Sequence, residues 1–211
     1  MTLERIDLRQ RLRHLYDPEP GSLQLVEVPR MNFVAIEGAG EPSAAPEFRE
    51  AIETLRYLSF ALIFNLRERR PDLNYAVMPF EALIWQDEPA AGGWKWQAMV
   101  LQPDDVTREF FAETTAEVIE SKMGKAIGGA RFVSVEEGLA VQTLHQGGFD
   151  DGGRTAREMQ AFIEREGYEP AGVHHEIYLN DPLRTRLERR RTILRQPVRA
   201  QNSRAQEGDG S

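Results

Sequence analysis

The sequence contains no cysteine among its 211 residues. A disulfide framework, a thiol nucleophile and a thiolate metal site are therefore excluded. Because a chain without cysteine fits a reducing compartment, we expect a cytoplasmic protein. The sequence also has no uninterrupted apolar run near the roughly 20 residues that cross a bilayer, and its first residues carry no apolar signal core. We therefore expect no membrane partner.

Basic residues are fewer than acidic residues. Lys and Arg together number 26 against 34 Asp and Glu, which gives a formal net charge of −8. Since non-specific nucleic-acid binding depends on neutralising phosphates, this excess of acid predicts no nucleic-acid partner. A hydrophobic content of 41% and a charged content of 28% are ordinary for a globular protein. The length suits one substantial core or two small units fused into one domain.

Several signatures of catalysis are also missing. The Gly38-x-Gly40 pair lacks the third glycine of a dinucleotide-binding loop, and Ser59 is not part of a Gly-x-Ser-x-Gly elbow. There is no His-Glu-x-x-His helix, and the adjacent His174 and His175 would face opposite ways on a strand, so one metal ion cannot bind both. We therefore expect neither a cofactor nor a metal ion.

Apolar periodicity and turn residues predict an α+β fold. Phe48, Leu55 and Leu62 belong to a stripe with three- and four-residue spacing, which is typical of one buried face of a long helix. Residues 1–22 are expected to be a polar lead-in, residues 23–199 a single domain and residues 200–211 a disordered tail. The predicted strands cover residues 26–36, 75–85, 94–101, 131–135, 139–146, 173–179 and 192–198, and the predicted helices cover residues 46–69, 105–123 and 154–166.

The predicted elements contain a repeat. The order strand, helix, strand, strand occurs over residues 26–101 and again over residues 139–198, with an inserted helix and strand at residues 105–135. We therefore expect duplicated β-α-β-β units related by a pseudo-twofold axis. Such units would form an antiparallel sheet with helices on one face and a ligand groove on the other.

Short sequence matches support the repeat and place two carboxylates in this groove. Phe80-Glu81 aligns with His175-Glu176, and Gln102-Pro103 aligns downstream with Gln196-Pro197, with spacings that agree to one residue. In this alignment Glu81 and Glu176 occupy matching positions. We expect them to enter one groove from the two halves.

The strand at residues 173–179 carries the main functional signal. Side chains alternate along a strand, so His174, Glu176 and Tyr178 share one face, while the other face carries apolar residues suited to a core. On that core face, His175 is expected to be a buried, hydrogen-bonded histidine. Burying the Glu176 carboxylate among rings is unfavourable, which suggests a functional use. Burial would raise the pKa of Glu176 towards the range where acid–base catalysis works at neutral pH.

Aromatic residues are placed so as to surround the two glutamates. A ring-lined cleft with a carboxylate suits a planar aromatic or cationic small molecule, because each ring contributes about 0.5–2 kcal/mol of stacking or cation–π attraction. His174 is expected to border this groove. The ring side chains expected to line it are Tyr75, Trp85, Trp94, Trp96 and Tyr178.

With these residues identified, the chain resembles the GyrI-like small-molecule-binding family over about residues 24–199. The motifs that carry the resemblance are Met-Pro-Phe-Glu-Ala-Leu-Ile-Trp at 78–85, Trp94-x-Trp96, and His-His-Glu-Ile-Tyr-Leu-Asn-Asp-Pro at 174–182. The resemblance implies a duplicated α+β unit with a ligand groove between the halves. It also implies a buried glutamate in the pocket, which Glu176 matches.

Two features resemble the stand-alone branch of that family. Only some 25 residues precede the first predicted strand, too few for a helix-turn-helix DNA reader, and the inserted helix at 105–123 is similar to that branch. Some stand-alone members hydrolyse cyclopropane-bearing, DNA-alkylating natural products. The resemblance therefore implies hydrolysis of such planar electrophilic toxins as a form of detoxification, without a metal ion.

The resemblance also suggests roles for individual residues. Glu176 would be the base that activates water, and Tyr178 or a protonated Glu81 would donate a proton towards the substrate carbonyl. His145 and Phe149 would contact the ligand, although the run His-Gln-Gly-Gly-Phe at 145–149 replaces a His-x-Gly-Pro-Tyr pattern. Phe60 and Ile63 likewise stand where tyrosine and lysine would be expected, so polar contacts from these positions are missing.

Three alternatives remain open from the sequence. The protein binds and sequesters aromatic or cationic drugs without chemistry, or it inhibits a topoisomerase by direct contact, as a gyrase inhibitor would. A metal ion shared by His174 and Glu176 is the third. The arginine-rich segment at residues 184–195 is expected to be a solvated loop at its start, and the oligomeric state is not determined by the sequence.

Overall fold

One large antiparallel sheet contains most of the strands, and the computed structural model describes residues 4–87, 93–120, 127–148 and 153–201. Residues 202–211 of the predicted tail lie outside this description. The sheet has the strand order β2-β8-β11-β10-β5-β6-β3-β7, and β9 pairs with β11 beyond this path. These strands are β2 (Gln24–Val28), β3 (Met31–Ala39), β5 (Phe80–Gln86), β6 (Trp94–Gln102), β7 (Arg131–Val135), β8 (Gly138–Gln146), β9 (Tyr168–Pro170), β10 (His174–Tyr178) and β11 (Arg191–Ala200).

A small parallel pair, five α-helices and two single-turn 3-10 helices (Ile127–Gly129 and Leu187–Arg189) complete the described part of the chain. β1 (Glu4–Ile6) pairs with β4 (Leu73–Tyr75). None of the helices is long and apolar enough over the described residues to span a bilayer. The α-helices are α1 (Leu8–Arg11), α2 (Arg13–Tyr16), α3 (Pro46–Arg69), α4 (Arg108–Glu120) and α5 (Arg154–Arg165).

The predicted α+β class is confirmed, and the sheet has the symmetry expected from the repeat. From the central antiparallel pair of β5 and β10, one half continues as β5-β6-β3 and the other as β10-β11-β8. Each half also has one long helix, α3 or α5, between its first and second strands. The inserted segment contributes α4 and the edge strand β7, which pairs with β3.

Two predicted strands are each divided in two. The strand expected at 26–36 is interrupted at Pro29, and β2 pairs with β8 of the second half while β3 pairs with β6 of the first. The strand expected at 75–85 is interrupted before Pro79, and β5 begins at Phe80. Proline has no backbone N–H to donate to a sheet ladder, so both breaks fall where the ladder would lose a bond.

Both long helices cover the sheet face that carries Glu176. Phe48 of α3 packs edge-on against the rings of Trp96 and Tyr178, with centroid distances of 5.1 and 6.3 Å. On the same face, Leu194 pairs in register with Glu176 and belongs to the apolar cluster that contains residues of α5. The groove expected on the face opposite the helices is therefore misplaced. Alternation separates the two faces of a strand, but it does not say which face the helices cover when both are apolar.

Glu81 lies on the reverse face of the sheet from Glu176. Glu176 pairs in register with Ala82, whereas Glu81 pairs with Ile177, and neighbouring register positions point to opposite faces. The prediction that Glu81 and Glu176 enter one groove is therefore wrong. The sequence match that pairs Glu81 with Glu176 is one residue out of register, and a one-residue shift moves every side chain to the other face.

The reverse face is covered partly by the N-terminal segment. Leu15 and Tyr16 are completely buried. Arg195 Nη2 donates a hydrogen bond to the backbone carbonyl of Leu15, and Gln142 Nε2 donates one to the carbonyl of His14. Leu15 and Tyr16, expected to be part of a polar lead-in, are thus part of the core.

Candidate functional site

Glu176 occupies the middle of β10, close to the centre of the sheet. Its register partners are Ala82 on β5 and Leu194 on β11, and Ala82 in turn pairs with Ala98 on β6. Both alanines are completely buried in the apolar core. The Glu176 side chain is 14% exposed. The carboxylate is therefore largely withdrawn from water while a path to it stays open.

The contacts of Glu176 set its protonation state. The hydroxyl of Tyr178 donates a hydrogen bond to Oε2 over 2.9 Å, and Nε2 of His174 lies 3.9 Å from Oε1. Burial raises the pKa of Glu176 to about 7, against the lowering effects of the Tyr178 hydrogen bond and the positive charge of His175. Burial, together with the charge of His175, lowers the pKa of His174 to about 4. At neutral pH, Glu176 is thus poised between its acid and base forms beside a neutral imidazole.

A cavity of about 170 Å³ opens beside Glu176, between the sheet and the start of α5. His145 Nδ1 lies 2.9 Å from the Thr155 hydroxyl, and His145 Nε2 lies 3.1 Å from the carbonyl oxygen of Gly148. Because that carbonyl only accepts, Nε2 carries the proton, and Nδ1 accepts from Thr155. These bonds join the end of β8 to the first turn of α5. The residues that line this cavity are His145, Gly153, Arg154, Thr155, Ala156, His174, Glu176 and Leu194.

The tryptophans do not line this cavity, contrary to expectation. Trp96 is 1% exposed and lies across Gly38, where a Cβ atom would come within 2.2 Å of the indole. Trp94 is on the same face but stands at the start of β6 and is 36% exposed. Trp85 pairs with Lys95, which places it on the reverse face, and its indole N–H donates to Asp87. The expected ring-lined cleft around Glu176 is therefore replaced by a cavity that none of the tryptophans lines.

The other aromatic residues predicted for the site are Tyr178, Tyr75 and Phe149, and only Tyr178 is found beside Glu176. Tyr178 contacts Glu176 directly, as described. Tyr75 belongs to β4, is buried, and donates a hydrogen bond from its hydroxyl to Gln102 over 3.1 Å, so it belongs to the core and not to this cavity. Phe149 lies outside the described residues.

Sequence reasoning missed the contribution of α5. Arg154 and Thr155 stand in the first turn of this helix, where polar residues are usual for reasons of helix stability alone. The available signal was topological: α5 follows β8 after a short turn, so its start must return over the end of that strand. That geometry brings Thr155 to His145.

A buried network of charged side chains lies on the reverse face, behind Glu176. His175 Nδ1 contacts Glu137 Oε2 at 3.1 Å, and Arg195 Nη1 donates to the same oxygen at 3.1 Å. Tyr16 donates to Glu81 Oε1 at 2.7 Å. His175 Nε2 and Glu81 Oε2 lie 3.0 Å apart without the angle of a hydrogen bond, so this contact is ionic. The prediction of a buried, hydrogen-bonded His175 is confirmed: its hydrogen-bond partner is Glu137, and Glu81 is its ionic partner.

Opposite charges in this network shift each other's pKa values towards the ionised forms. Although burial acts in the opposite direction, His175 and Arg195 lower the pKa of Glu137 to about 2. Burial likewise opposes a proton on His175, but Glu137 and Glu81 raise its pKa above the ordinary value. His175, with its raised pKa, thus lies on the strand that presents Glu176, one residue away and on the opposite face.

This arrangement can activate a water molecule. A carboxylate with a pKa near 7 accepts a proton efficiently at neutral pH. The hydrogen bond from Tyr178 fixes its orientation, and Arg154 brings positive charge to the cavity wall. Among the residues that the structure describes, no group of three or more His, Cys, Asp or Glu is suitable for a metal ion.

Comparisons with known proteins agree on the family and the fold. The family described as GyrI-like small molecule binding domain matches residues 22–199. No curated protein matches the sequence.

Three solved structures from Listeria innocua are similar. A hydrolase shares 30% identity over 92% of this chain and 100% of its own, with a TM-score of 0.79. A hydrolase encoded by lin2189 shares 28% identity over 93% and 100% of the two chains, with a TM-score of 0.80. An uncharacterized conserved protein shares 29% identity over 92% and 100%, with a TM-score of 0.83.

Proposed function

The chain belongs to the GyrI-like small-molecule-binding domain family, and we propose that it hydrolyses small electrophilic molecules with Glu176 as the general base. The observation that carries the proposal is the buried carboxyl of Glu176, whose pKa is raised to about 7 beside an open cavity. Two similar Listeria structures carry the name hydrolase, which supports the same reaction class.

The proposed substrates are planar molecules that carry a cyclopropane ring conjugated to a carbonyl group. Opening such a ring requires a nucleophile at one ring carbon and an acceptor for the electron pair of the breaking carbon–carbon bond. Water and a base meet the first need, so neither an enzyme nucleophile nor a metal ion is required. Destroying an alkylating ring of this kind is detoxification, and it would give resistance to the compound.

Glu176 acts first in the proposed reaction. Its carboxylate takes a proton from water as the water oxygen bonds to the ring carbon. The ring bond breaks and its electron pair moves to the conjugated carbonyl. The resulting oxyanion takes up, through solvent, the proton that Glu176 removed from water, which gives an alcohol and a neutral phenol or enol and restores the carboxylate. Arg154 lines the cavity but is paired with Glu158 over 2.8 Å, so its charge would stabilise the oxyanion only in part.

Tyr178 has a different role from the proton donor suggested by the sequence. Its hydroxyl proton is directed at Glu176. Burial and the neighbouring carboxylate raise the pKa of Tyr178 well above its ordinary value, which makes it a poor acid. Tyr178 therefore orients the base. Glu81 has no part in the reaction, because it lies on the reverse face of the sheet.

A mass measurement tests this function. Incubating the protein with a cyclopropane-bearing, DNA-alkylating compound should convert the compound to a product heavier by one water. A heat-denatured sample of the same protein controls for spontaneous hydrolysis. An unchanged mass, combined with retention of the compound by the protein in equilibrium dialysis, would instead identify a sequestering protein that binds without chemistry.

The pH dependence of hydrolysis should follow the ionisation of Glu176. We expect kcat/KM to rise with pH through about 7, because only the ionised carboxylate accepts a proton. Below that value the rate constant should fall about tenfold per pH unit. His174, with its pKa lowered to about 4, stays neutral in this range.

Tyr178→Phe provides an independent check of this assignment. The Tyr178 hydrogen bond lowers the pKa of Glu176, so its removal should move the acid limb of the profile to higher pH. An acid limb near 4.5, the ordinary pKa of a glutamate, or a limb that does not move in Tyr178→Phe, would assign the base to another residue.

A further inference from the structure

A second and larger cavity lies at the other end of β10. Its volume is about 420 Å³, within the range of about 300–1,000 Å³ that is usual for small-molecule sites. It lies between α3, the segment that leads into β5, the residues after β10 and the N-terminal segment. No part of the mechanism proposed above uses it.

Aromatic rings form the walls of this cavity. Phe80 and Tyr178 pair in register across β5 and β10, and both rings are at least nine-tenths buried. The guanidinium of Arg56 lies over the Phe80 ring, 4.8 Å from its centroid. Phe60 comes from α3 and is 60% exposed. An aromatic side chain that borders a cavity while still largely exposed offers a surface on which another ring can stack.

The charges around the cavity cancel. Two carboxylates, Asp7 and Asp181, and two guanidinium groups, Arg9 and Arg56, line it. Arg56 Nη2 donates to Asp181 Oδ2 over 2.9 Å, so this pair is already neutralised. A charged ligand would therefore gain little net attraction. The walls favour an uncharged planar group that stacks on the rings.

Tyr178 connects this cavity with Glu176. Its ring lines the larger cavity, while its hydroxyl donates to the Glu176 carboxylate. A molecule stacked in the larger cavity would thus contact the residue that orients the proposed base.

We propose that the larger cavity is a second binding site, which takes an uncharged planar aromatic group that stacks on the exposed ring of Phe60, with the largely buried rings of Phe80 and Tyr178 beneath it. Binding at this site does not depend on hydrolysis at Glu176. Where the substrate itself supplies the planar group, the site adds binding energy away from the reacting bond, and this further consequence rests on the proposed function.

Phe60→Ala, with Phe64→Ala as its matched control, tests the site. Phe60 and Phe64 are 60% and 62% exposed on the same helix, but only Phe60 lines the cavity. The probe is N-phenyl-1-naphthylamine, an uncharged aromatic compound whose fluorescence rises in apolar surroundings. We expect Phe60→Ala to weaken binding of the probe about tenfold, because it removes one stacking wall. Phe64→Ala should bind the probe as the unaltered protein does.

Two more variants complete the test. Ala76 is exposed and lines the cavity, so Ala76→Trp should fill the cavity and abolish probe binding while the fold is retained. Glu176→Gln should bind the probe normally. Equal affinities in Phe60→Ala and Phe64→Ala, or a loss in Glu176→Gln as large as in Phe60→Ala, would overturn the proposal.

The outcome is separable from that of the proposed function. If no compound is ever hydrolysed but Phe60→Ala and Ala76→Trp lose the probe, the second site stands and the hydrolase assignment falls. If hydrolysis occurs, Phe60→Ala should raise KM for a planar substrate and leave kcat unchanged, since the lost contact is made equally in the bound substrate and in the transition state.

Discussion

Glu176→Gln should abolish hydrolysis while leaving the protein folded and able to bind neutral planar compounds. The amide keeps the size of the carboxyl and can still accept the hydrogen bond from Tyr178, which spans 2.9 Å in the unaltered protein. It cannot take a proton from water. Because positioned general bases typically contribute about 10²- to 10⁴-fold to a rate, we expect kcat/KM to fall by about that factor.

A stability measurement separates loss of the base from loss of the fold. The folded-state pKa of Glu176, about 7, lies above its ordinary value of 4.5. Between these two values the native state binds the proton more tightly than the unfolded state, so this residue makes the protein less stable as pH rises. Glu176→Gln removes that effect, and its midpoint of urea unfolding at about pH 8 should be no lower than that of the unaltered protein.

Glu27→Gln is the matched control for activity. Glu27 is an exposed glutamate on β2 of the same sheet, so the same chemical change there should leave kcat/KM unaltered. If Glu176→Gln keeps full turnover, or if Glu27→Gln loses as much, the base is not Glu176.

The sequence predicted those elements whose signals are local. α3 runs from Pro46 to Arg69, as expected from its apolar stripe and from Pro71 just beyond it. Proline is favoured in the first turn of a helix and disfavoured within it, so both ends were marked in the sequence. The position of Glu176 on a strand beside Tyr178 followed in the same way from the two-residue period of strand side chains.

The composition of the cavity was not predictable in this way, because it depends on register. Gln102 and Gln196 differ by 94 positions, and the same offset makes Glu81 equivalent to His175 instead of Glu176. In the structure Glu81 and His175 do meet, 3.0 Å apart across the central strand pair. The two sequence matches of the repeat disagree by one residue. That difference decides whether the Glu81 carboxylate is assigned to the site or to the core.

The contribution of distant segments to the core was also hidden. Nothing local distinguishes His14, Leu15 and Tyr16 from a solvated helix, yet they cover the charged network on the reverse face. The burial of Arg195 was not indicated by the sequence either, since this residue ends an arginine-rich segment whose start is expected to be solvated. It is completely buried because it finds Glu137, Gln142 and a backbone carbonyl at once, and a buried charge is tolerated when it is paired and hydrogen-bonded.

Arg195→Met should therefore destabilise the protein far more than Arg199→Met, four residues along the same strand. Methionine retains much of the arginine volume but removes the charge, which leaves the Gln142 Oε1 atom without the Arg195 donor and buried Glu137 with His175 alone. Removing one partner of a buried ion pair typically costs about 3–5 kcal/mol. Arg199 pairs with Glu169 at 2.6 Å, but the two side chains are 70% and 42% exposed, and exposed pairs contribute at most about 1 kcal/mol.

Urea unfolding of the two variants measures this difference, and its pH dependence identifies the group responsible. The pKa of Glu137 is lowered in the folded state from 4.5 to about 2, so its contribution to stability is present above the unfolded value and is lost as pH falls through this window. The contribution of His175, whose pKa is raised in the folded state, is complete below its unfolded value and is lost as pH rises through the folded one. In Arg195→Met the acid-side loss should be smaller and should end at a higher pH, because Arg195 is one of the two groups that lower the folded-state pKa of Glu137. If the two methionine variants unfold at the same urea concentration, the network does not stabilise the strand that carries Glu176.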